Sequence, residues 1–133
     1  TKPMNIPYTL VENLDAIAIV RKMALENVSV RRTISVSEML GWDHEKNSFK
    51  THEVFRWDAN EDLYMPTGRS YLLKEIASQW GYSTREINQE LKKRKVILDY
   101  LVRKNIRSYE EVSSIIMDYF SDPKTVYRKA KVS

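Results

Sequence analysis

The sequence predicts an α+β chain: an edge part of a larger sheet with antiparallel hairpins, followed by a C-terminal bundle of three to four helices. Two observations carry this. Apolar residues recur with period two before Thr67-Gly68 and with helical period after it, and every strong helix-start signal lies beyond that point. Composition agrees, since 42% hydrophobic and 30% charged residues over 133 positions suffice for a soluble domain with a core.

The elements follow in order. IPYTLVENL is a short helix candidate. DAIAIVRKMAL is an apolar run of the kind found in a strand buried on both faces of a parallel sheet. RRTISVSEM alternates, with Ile34 and Val36 on one side and Thr33, Ser35 and Ser37 on the other, as a half-exposed strand does. A turn at WDHEKN leads to SFKTHEVFRW, whose Phe49, Phe55 and Trp57 are expected on one face, and DANED then turns the chain into LYM. Beyond Gly68, Ser70 caps a helix ending at Gly81. Ser83 with Glu86 forms a capping box for a helix to about Asn105, and Ser108 with Glu111 forms another. Val112, Ile115, Ile116, Tyr119 and Phe120 make one buried stripe. Asp122 and Pro123 start a last short helix.

Within the helical half, LLKEIASQWGYSTREINQELKKR has helix-turn-helix spacing: Ala77 small at a crossing, Gly81 at the turn, Ile87 packing back. A DNA reader would place Ser83 to Glu86 in the major groove, where Glu86 and Glu90 would oppose phosphates while the basic run starts two turns later. Packing is therefore the better reading of that corner, with Ile87 buried in a helical core and Lys92 to Lys95 exposed. No nucleic acid is expected as a partner, and a helix-turn-helix DNA-binding domain stays as an alternative.

Charge is uneven. Residues 1–68 carry eight Lys/Arg and ten Asp/Glu, whereas residues 69–133 carry fourteen and eight. A basic half of this kind suits nucleic acid, an anionic membrane face or an acidic partner. There is no run of apolar residues long enough to span a bilayer and no signal-peptide pattern. Without cysteine, disulfides and thiolate metal sites are excluded. Asn27-Val28-Ser29 matches a glycosylation sequon by chance, in the absence of a secretory signal. His44 and His52 lack a third ligand and are placed at the surface. Asp58, Asn60 and Asp62 imitate a calcium loop, but Leu63 and Arg69 stand where glycine and a bidentate glutamate are needed, so the segment is a turn. With three glycines there is no phosphate cradle, and no acid pair or nucleophile elbow stands out. Catalytic, cofactor-binding and metal residues are accordingly not assigned. A start at Thr1, and a first strand that reads as interior to a sheet, point to a piece of a larger protein.

The order IPYTLVENLDAIAIVRKM, VRRTISVSEMLGWD, THEVFRWDANEDLYMPTGRSYLLKEIA and ELKKRKVILDYLVRKNIRSYEEVSSIIMDYFSDP closely resembles the C-terminal end of archaeal secretion ATPases. These are the motors of the archaellum and of type IV pilus or type II-like secretion systems. EVFRWD, TGRSYLL, NIRSYEEV and DYFSDP are its most specific parts. The resemblance implies a RecA-like ATPase that forms a homo-hexamer in the cytoplasm, peripheral to the inner face of the membrane. ATP and magnesium are implied for the parent protein and none for these residues, because the family's nucleotide motifs precede the matched region; alone, the chain is not expected to hydrolyse ATP. Residues 1–68 would then be the last strands of the RecA-like domain and residues 69–133 a helical C-terminal module. The expected partners are neighbouring subunits and a membrane platform protein, met through Lys92, Lys93, Arg94 and Lys95. A non-motor assembly or adaptor domain is the other alternative. Arg31 or Arg32 could face a nucleotide across a subunit boundary, but adjacent strand residues point oppositely, so only one can serve.

Overall fold

Four strands in the order β1-β2-β3-β4, every neighbouring pair antiparallel, stand between one short helix and four longer ones in the computed structural model, which describes residues 7–133. The α+β class expected from the sequence is what the chain adopts. The strands are β1 (Ala16–Leu25), β2 (Val28–Asp43), β3 (Ser48–Asp58) and β4 (Leu63–Pro66). The first helix, α1, covers only Tyr8–Val11; Ile6, the start of the expected helix, lies outside the described residues. Four helices follow the sheet: α2 (Tyr71–Trp80), α3 (Thr84–Arg103), α4 (Tyr109–Ser121) and α5 (Pro123–Val132).

Turn chemistry sets the hairpins. Glu26 and Asn27 both have positive φ (46° and 68°), the requirement of a tight two-residue hairpin turn, which accounts for the asparagine of the sequon on conformational grounds. The two later turns share one construction. Asp43 Oδ1 accepts the amides of Glu45 and Lys46 at 3.0 and 3.1 Å, and Asp58 Oδ1 accepts those of Asn60 and Glu61 at 2.8 and 3.3 Å. Each turn closes on a left-handed residue, Asn47 (φ 48°) and Asp62 (φ 50°), both of types that tolerate that conformation.

Two strand expectations are corrected. The apolar β1 is not buried on both faces: Ile19 and Val20 are exposed, and among the described residues β1 pairs only with β2 and is left without a layer packed over its faces. Nor do Phe49, Phe55 and Trp57 keep one phase. Val36 pairs with Phe55 and Ser37 with Glu53, so Val54 is an extra residue on β3, and one inserted residue inverts the alternation beyond it. Val54 is buried, its carbonyl accepts the Thr67 amide at 3.0 Å, and Phe55 is exposed, while Phe49 packs edge-on to Trp42 with ring centroids 4.7 Å apart. A similar irregularity leaves Ile34 without a partner on β1, and another places Leu40 and Gly41 (φ +105°) opposite the single residue Lys50.

Packing divides the chain into two units, one ending at Glu75 and one comprising Ile76–Ser133. In the second, α2 ends in a left-handed Gly81 (φ 68°), with the Tyr82 amide on the Ala77 carbonyl at 2.8 Å, a Schellman stop. Ser83 caps α3 in a complete box with Glu86, and Asn105 (φ 52°) stops that helix as Gly81 stops α2. Ser108 caps the Glu111 amide at 3.2 Å, but the Glu111 carboxylate accepts from the Ser108 hydroxyl at 2.8 Å, so this cap closes through the side chain. Asp122 accepts the Thr125 amide at 3.2 Å ahead of Pro123, as expected.

The core of the helical unit consists of Ile97, Tyr100, Leu101, Tyr119 and Ala130, with Val112, Ile115 and Val126 packed against it. Ile87 is therefore not a core residue; it is only half-buried, because the buried stripe of α3 begins two to three turns later. The α4 stripe also splits. Val112, Ile115 and Tyr119 face the core, while Phe120 is exposed and Ile116 lies at the margin.

Candidate functional site

Lys92, Lys93, Arg94 and Lys95 are all exposed on α3. Consecutive helical residues are about 100° apart, so four in a row wrap around the helix and cannot form one flat patch. Two of them are engaged in intrahelical pairs. Arg94 Nε lies 2.9 Å from Glu90 Oε1, and Lys95 Nζ lies 2.6 Å from Asp99 Oδ2. The Arg94 guanidinium also sits 5.7 Å from the centroid of the Phe120 ring, which keeps that aromatic at the surface beside a cation.

Glu90 links this surface to the core. Its carboxylate accepts from Arg94 and, at 2.9 Å, from the Tyr119 hydroxyl. Burial raises the Glu90 pKa, but the two hydrogen bonds and the charges of Arg94 and Lys93 outweigh it and hold the group below its ordinary value. Tyr119 is pushed up to about 12, by burial first and then by Glu90. Beside this pair, Ile97, Leu98, Ile116, Tyr119, Phe120 and Arg94 line a small cavity of about 160 Å³. A wider depression of about 760 Å³ adjoins it, bounded by Trp80, Tyr82, Ile87, Lys93 and Phe120 among others. Trp80, Tyr82 and Phe120 are each more than half exposed, so the helical unit presents aromatic side chains next to cations. That combination is characteristic of protein recognition surfaces.

The corner with helix-turn-helix spacing is built around Glu86. Its carboxylate accepts the Ser83 amide and hydroxyl, each at 2.8 Å, and those bonds hold its pKa below the ordinary glutamate value. The start of α3 thus carries a fixed negative group where a DNA reader needs to approach phosphate.

In the sheet unit the structure assembles two clusters that sequence reasoning missed. Glu38, in the middle of β2, is buried and reaches the start of α2. One oxygen accepts from the Ser70 hydroxyl, and the other accepts the Tyr71 and Leu72 amides at 2.7 and 3.2 Å. Ser70 Oγ in turn accepts the Leu73 amide at 2.9 Å. Burial raises the Glu38 pKa, but the Ser70, Leu72 and Tyr71 hydrogen bonds and nearby His52 together bring it below the usual value. The signal that could have revealed Glu38 is a missing one: α2 has no acidic residue in its first turn, so Ser70 heads a helix whose remaining amides need an acceptor from elsewhere.

His52 is half-buried rather than at the surface. Its Nε2 is 2.9 Å from the Arg69 carbonyl, which can only accept, so that nitrogen carries the proton. The ring stands edge-on to Tyr71 at 5.0 Å, and a Cβ at Gly68 would lie 2.6 Å from Nε2, so the glycine is required for this close approach. His44 is exposed, as expected.

The second cluster explains the calcium-loop lookalike. Asp62 takes the Arg32 guanidinium in a bidentate pair, 2.7 Å on each arm, and accepts the Trp57 indole N–H at 2.7 Å. The Arg32 and Trp57 hydrogen bonds lower its pKa to about 2. The carboxylate that would have been a metal ligand thus binds an arginine, and Arg32 is committed within the unit, leaving Arg31 as the exposed member of the pair. Among the described residues, no group of three or more His, Asp or Glu side chains is placed to hold a metal, and no helix is long and apolar enough to cross a membrane.

Comparison with known proteins adds a family. The family model described as PilB3-like, C-terminal matches residues 60–133, more than half of the chain, covering β4 and all the helices from α2 onward. Three uncharacterized proteins of Methanocaldococcus jannaschii are similar to it. One is 36% identical over 118 residues, 89% of this chain and 43% of the relative. The second is 33% identical over 122 residues, 89% and 22%. The third is 26% identical over 129 residues, 97% and 18%. The chain thus spans less than half the length of each of these relatives.

Proposed function

The chain belongs to the PilB3-like, C-terminal family, and from that premise we propose that it is the C-terminal part of a hexameric secretion ATPase. Such a motor powers protein export or the assembly of archaellum or type IV pilus filaments. In this reading the chain contributes contacts, and the nucleotide site, with its ATP and magnesium, lies in residues preceding it. The family match is the observation that carries the reading.

Two structural features support it. Among the described residues β1 is paired on one side only and exposes Ile19 and Val20, and in a larger protein a further strand would pair that edge and a packed layer would cover those side chains. The helical unit displays aromatics beside Lys93 and Arg94, a surface suited to a neighbouring subunit or a membrane platform protein. Arg31 is the arginine open to a nucleotide of an adjacent subunit, since Asp62 occupies Arg32. The motor would work in the cytoplasm against the inner face of the membrane.

The test uses the full-length motor carrying Lys92→Glu, Lys93→Glu and Lys95→Glu. Platform binding should fall while ATP hydrolysis persists, and unchanged binding would refute the contact role. A full-length protein with no GxxxxGK[ST] loop upstream, and no hydrolysis, would instead favour an adaptor.

A further inference from the structure

The three most exposed large apolar side chains of the helical unit are Val132 (83%), Tyr109 (81%) and Val102 (75%), and they gather at one end of it. Val102 is in the last turn of α3, Tyr109 opens α4, and Val132 closes α5. The Arg103 guanidinium donates to the Ala130 carbonyl at 2.9 Å, which joins the ends of α3 and α5. The connection from α3 to α4 is short and tightly turned, with the Ile106 amide on the Leu101 carbonyl at 2.9 Å, so Tyr109 starts close by.

The same end is basic. Lys104, Arg107, Lys129 and Lys131 are exposed there, whereas the charge of Arg128 acts on Asp122 at the other end of α5. Lys131 lies 6.0 Å from the centre of the Tyr127 ring. The acidic groups on these segments are Glu110 and Glu111, the latter already accepting from Ser108. Isolated exposed apolar residues need no explanation, but three of the most exposed interleaved with an excess of cations form a pattern with a specific chemistry. Cations attract anionic headgroups, while valine methyls and a tyrosine ring enter the boundary just below them. Nucleic acid would match the charge but offers nothing to Val102 and Val132, whereas an anionic bilayer meets the cations with headgroups and the apolar side chains with its interface over one continuous surface.

We propose that this end of the helical unit docks directly on an anionic lipid surface, through Lys104, Arg107, Lys129 and Lys131 with Val102, Tyr109 and Val132. The contact is separate from the Lys92–Lys95 region and does not depend on the export-motor reading. It adds a lipid partner to whatever protein the other surface binds.

The experiment is sedimentation of the whole 133-residue chain with phosphatidylglycerol-containing vesicles and with pure phosphatidylcholine vesicles. Binding is expected only to the former. Lys104→Gln, Arg107→Gln and Lys131→Gln together should weaken it about a hundredfold, at about fivefold for each charge. Val102→Ser with Tyr109→Ser, which leaves every cation in place, should weaken it about tenfold. Tyr109→Trp supplies a reporter whose emission should move to the blue on vesicle binding, and far-ultraviolet circular dichroism verifies that each variant is folded. Absence of binding, equal binding to both vesicles, or an unmoved Tyr109→Trp emission in vesicle-bound protein would overturn the proposal. So would binding that the double serine variant leaves unchanged, and affinity for duplex DNA without affinity for vesicles would assign the cations to nucleic acid instead.

Discussion

Replacing Glu38 tests whether a residue in the middle of a strand holds the start of α2. In the native chain its carboxylate accepts three hydrogen bonds, from the Ser70 hydroxyl and the Tyr71 and Leu72 amides. Hydrogen bonds to a charged group contribute about 1.5–3 kcal/mol each, and part of that offsets burying the carboxylate. Water can reach some of the released amides, so Glu38→Ala should cost about 3 kcal/mol locally. Glu38→Gln keeps one carbonyl acceptor of similar shape but loses the charge, and should cost about 1–2 kcal/mol. The assay is amide hydrogen exchange at Leu72, read by NMR. Tenfold in exchange corresponds to about 1.4 kcal/mol, so the alanine variant should exchange about a hundredfold faster. The pH dependence has a definite sign. The folded pKa is depressed, so the contribution is fully present above the usual glutamate value and is lost as pH falls through the lower folded value. Wild-type protection should therefore decline in acid, and Glu38→Gln should remove that decline. Leu72 protection unchanged in Glu38→Ala would refute the reasoning.

Asp62→Asn keeps a carbonyl acceptor for the Trp57 indole but removes the titrating group; in the native chain the indole N–H resonance should shift as pH falls through about 2, and the variant should lack that transition. Gly68→Ala places a Cβ 2.6 Å from His52 Nε2 and 2.9 Å from the Glu53 carbonyl, so it should destabilise the sheet unit by about 1–3 kcal/mol in urea unfolding. His52→Ala in the same chain should restore only part of that loss, because the backbone carbonyl remains. Tyr119→Phe removes the hydrogen bond to Glu90 and should cost about 1 kcal/mol at neutral pH. The folded pKa of Tyr119 is raised to about 12, so this difference should persist up to the ordinary tyrosine value and vanish as pH rises through about 12, as followed by thermal unfolding of both proteins.

The parts of the fold visible in the sequence are those decided by neighbours along the chain. Ser83 with Glu86, Asp122 before Pro123, and Gly81 after Trp80 fix helix ends through contacts spanning a few residues, and all three do so here. Strand phase is different, because the bulge at Val54 is set by pairing with β2 and has no local signature; it separates Phe49 from Phe55 although their spacing is even. Ile87 looked like core for a related reason. Helical spacing states which residues share a stripe, while the position of the crossing with α4 and α5, which the spacing leaves open, moved the core to Ile97 and Leu101. Of the candidate surface, the exposure of Lys92 to Lys95 was legible, and their division between Glu90, Asp99 and the Phe120 ring was not. Glu38 and Asp62 escaped because their partners lie roughly thirty residues away.

Those two carboxylates also explain how a sheet with few deeply buried side chains keeps one arrangement. Val54 is the buried apolar residue of its four strands, so burial of hydrocarbon alone gives weak discrimination among registers. A bidentate pair such as Arg32 with Asp62 requires both planes to meet at one distance, and Trp57 adds a third fixed direction. A slip of β2 against β3 by one residue would break that geometry and turn Glu38 away from the α2 amides. The helical unit reaches the same end by other means, with an interlocked core and caps that act within each helix. In the sheet unit, then, specificity rests on directional polar contacts, which is why its apolar side chains can remain on the surface of the strands and available to other partners.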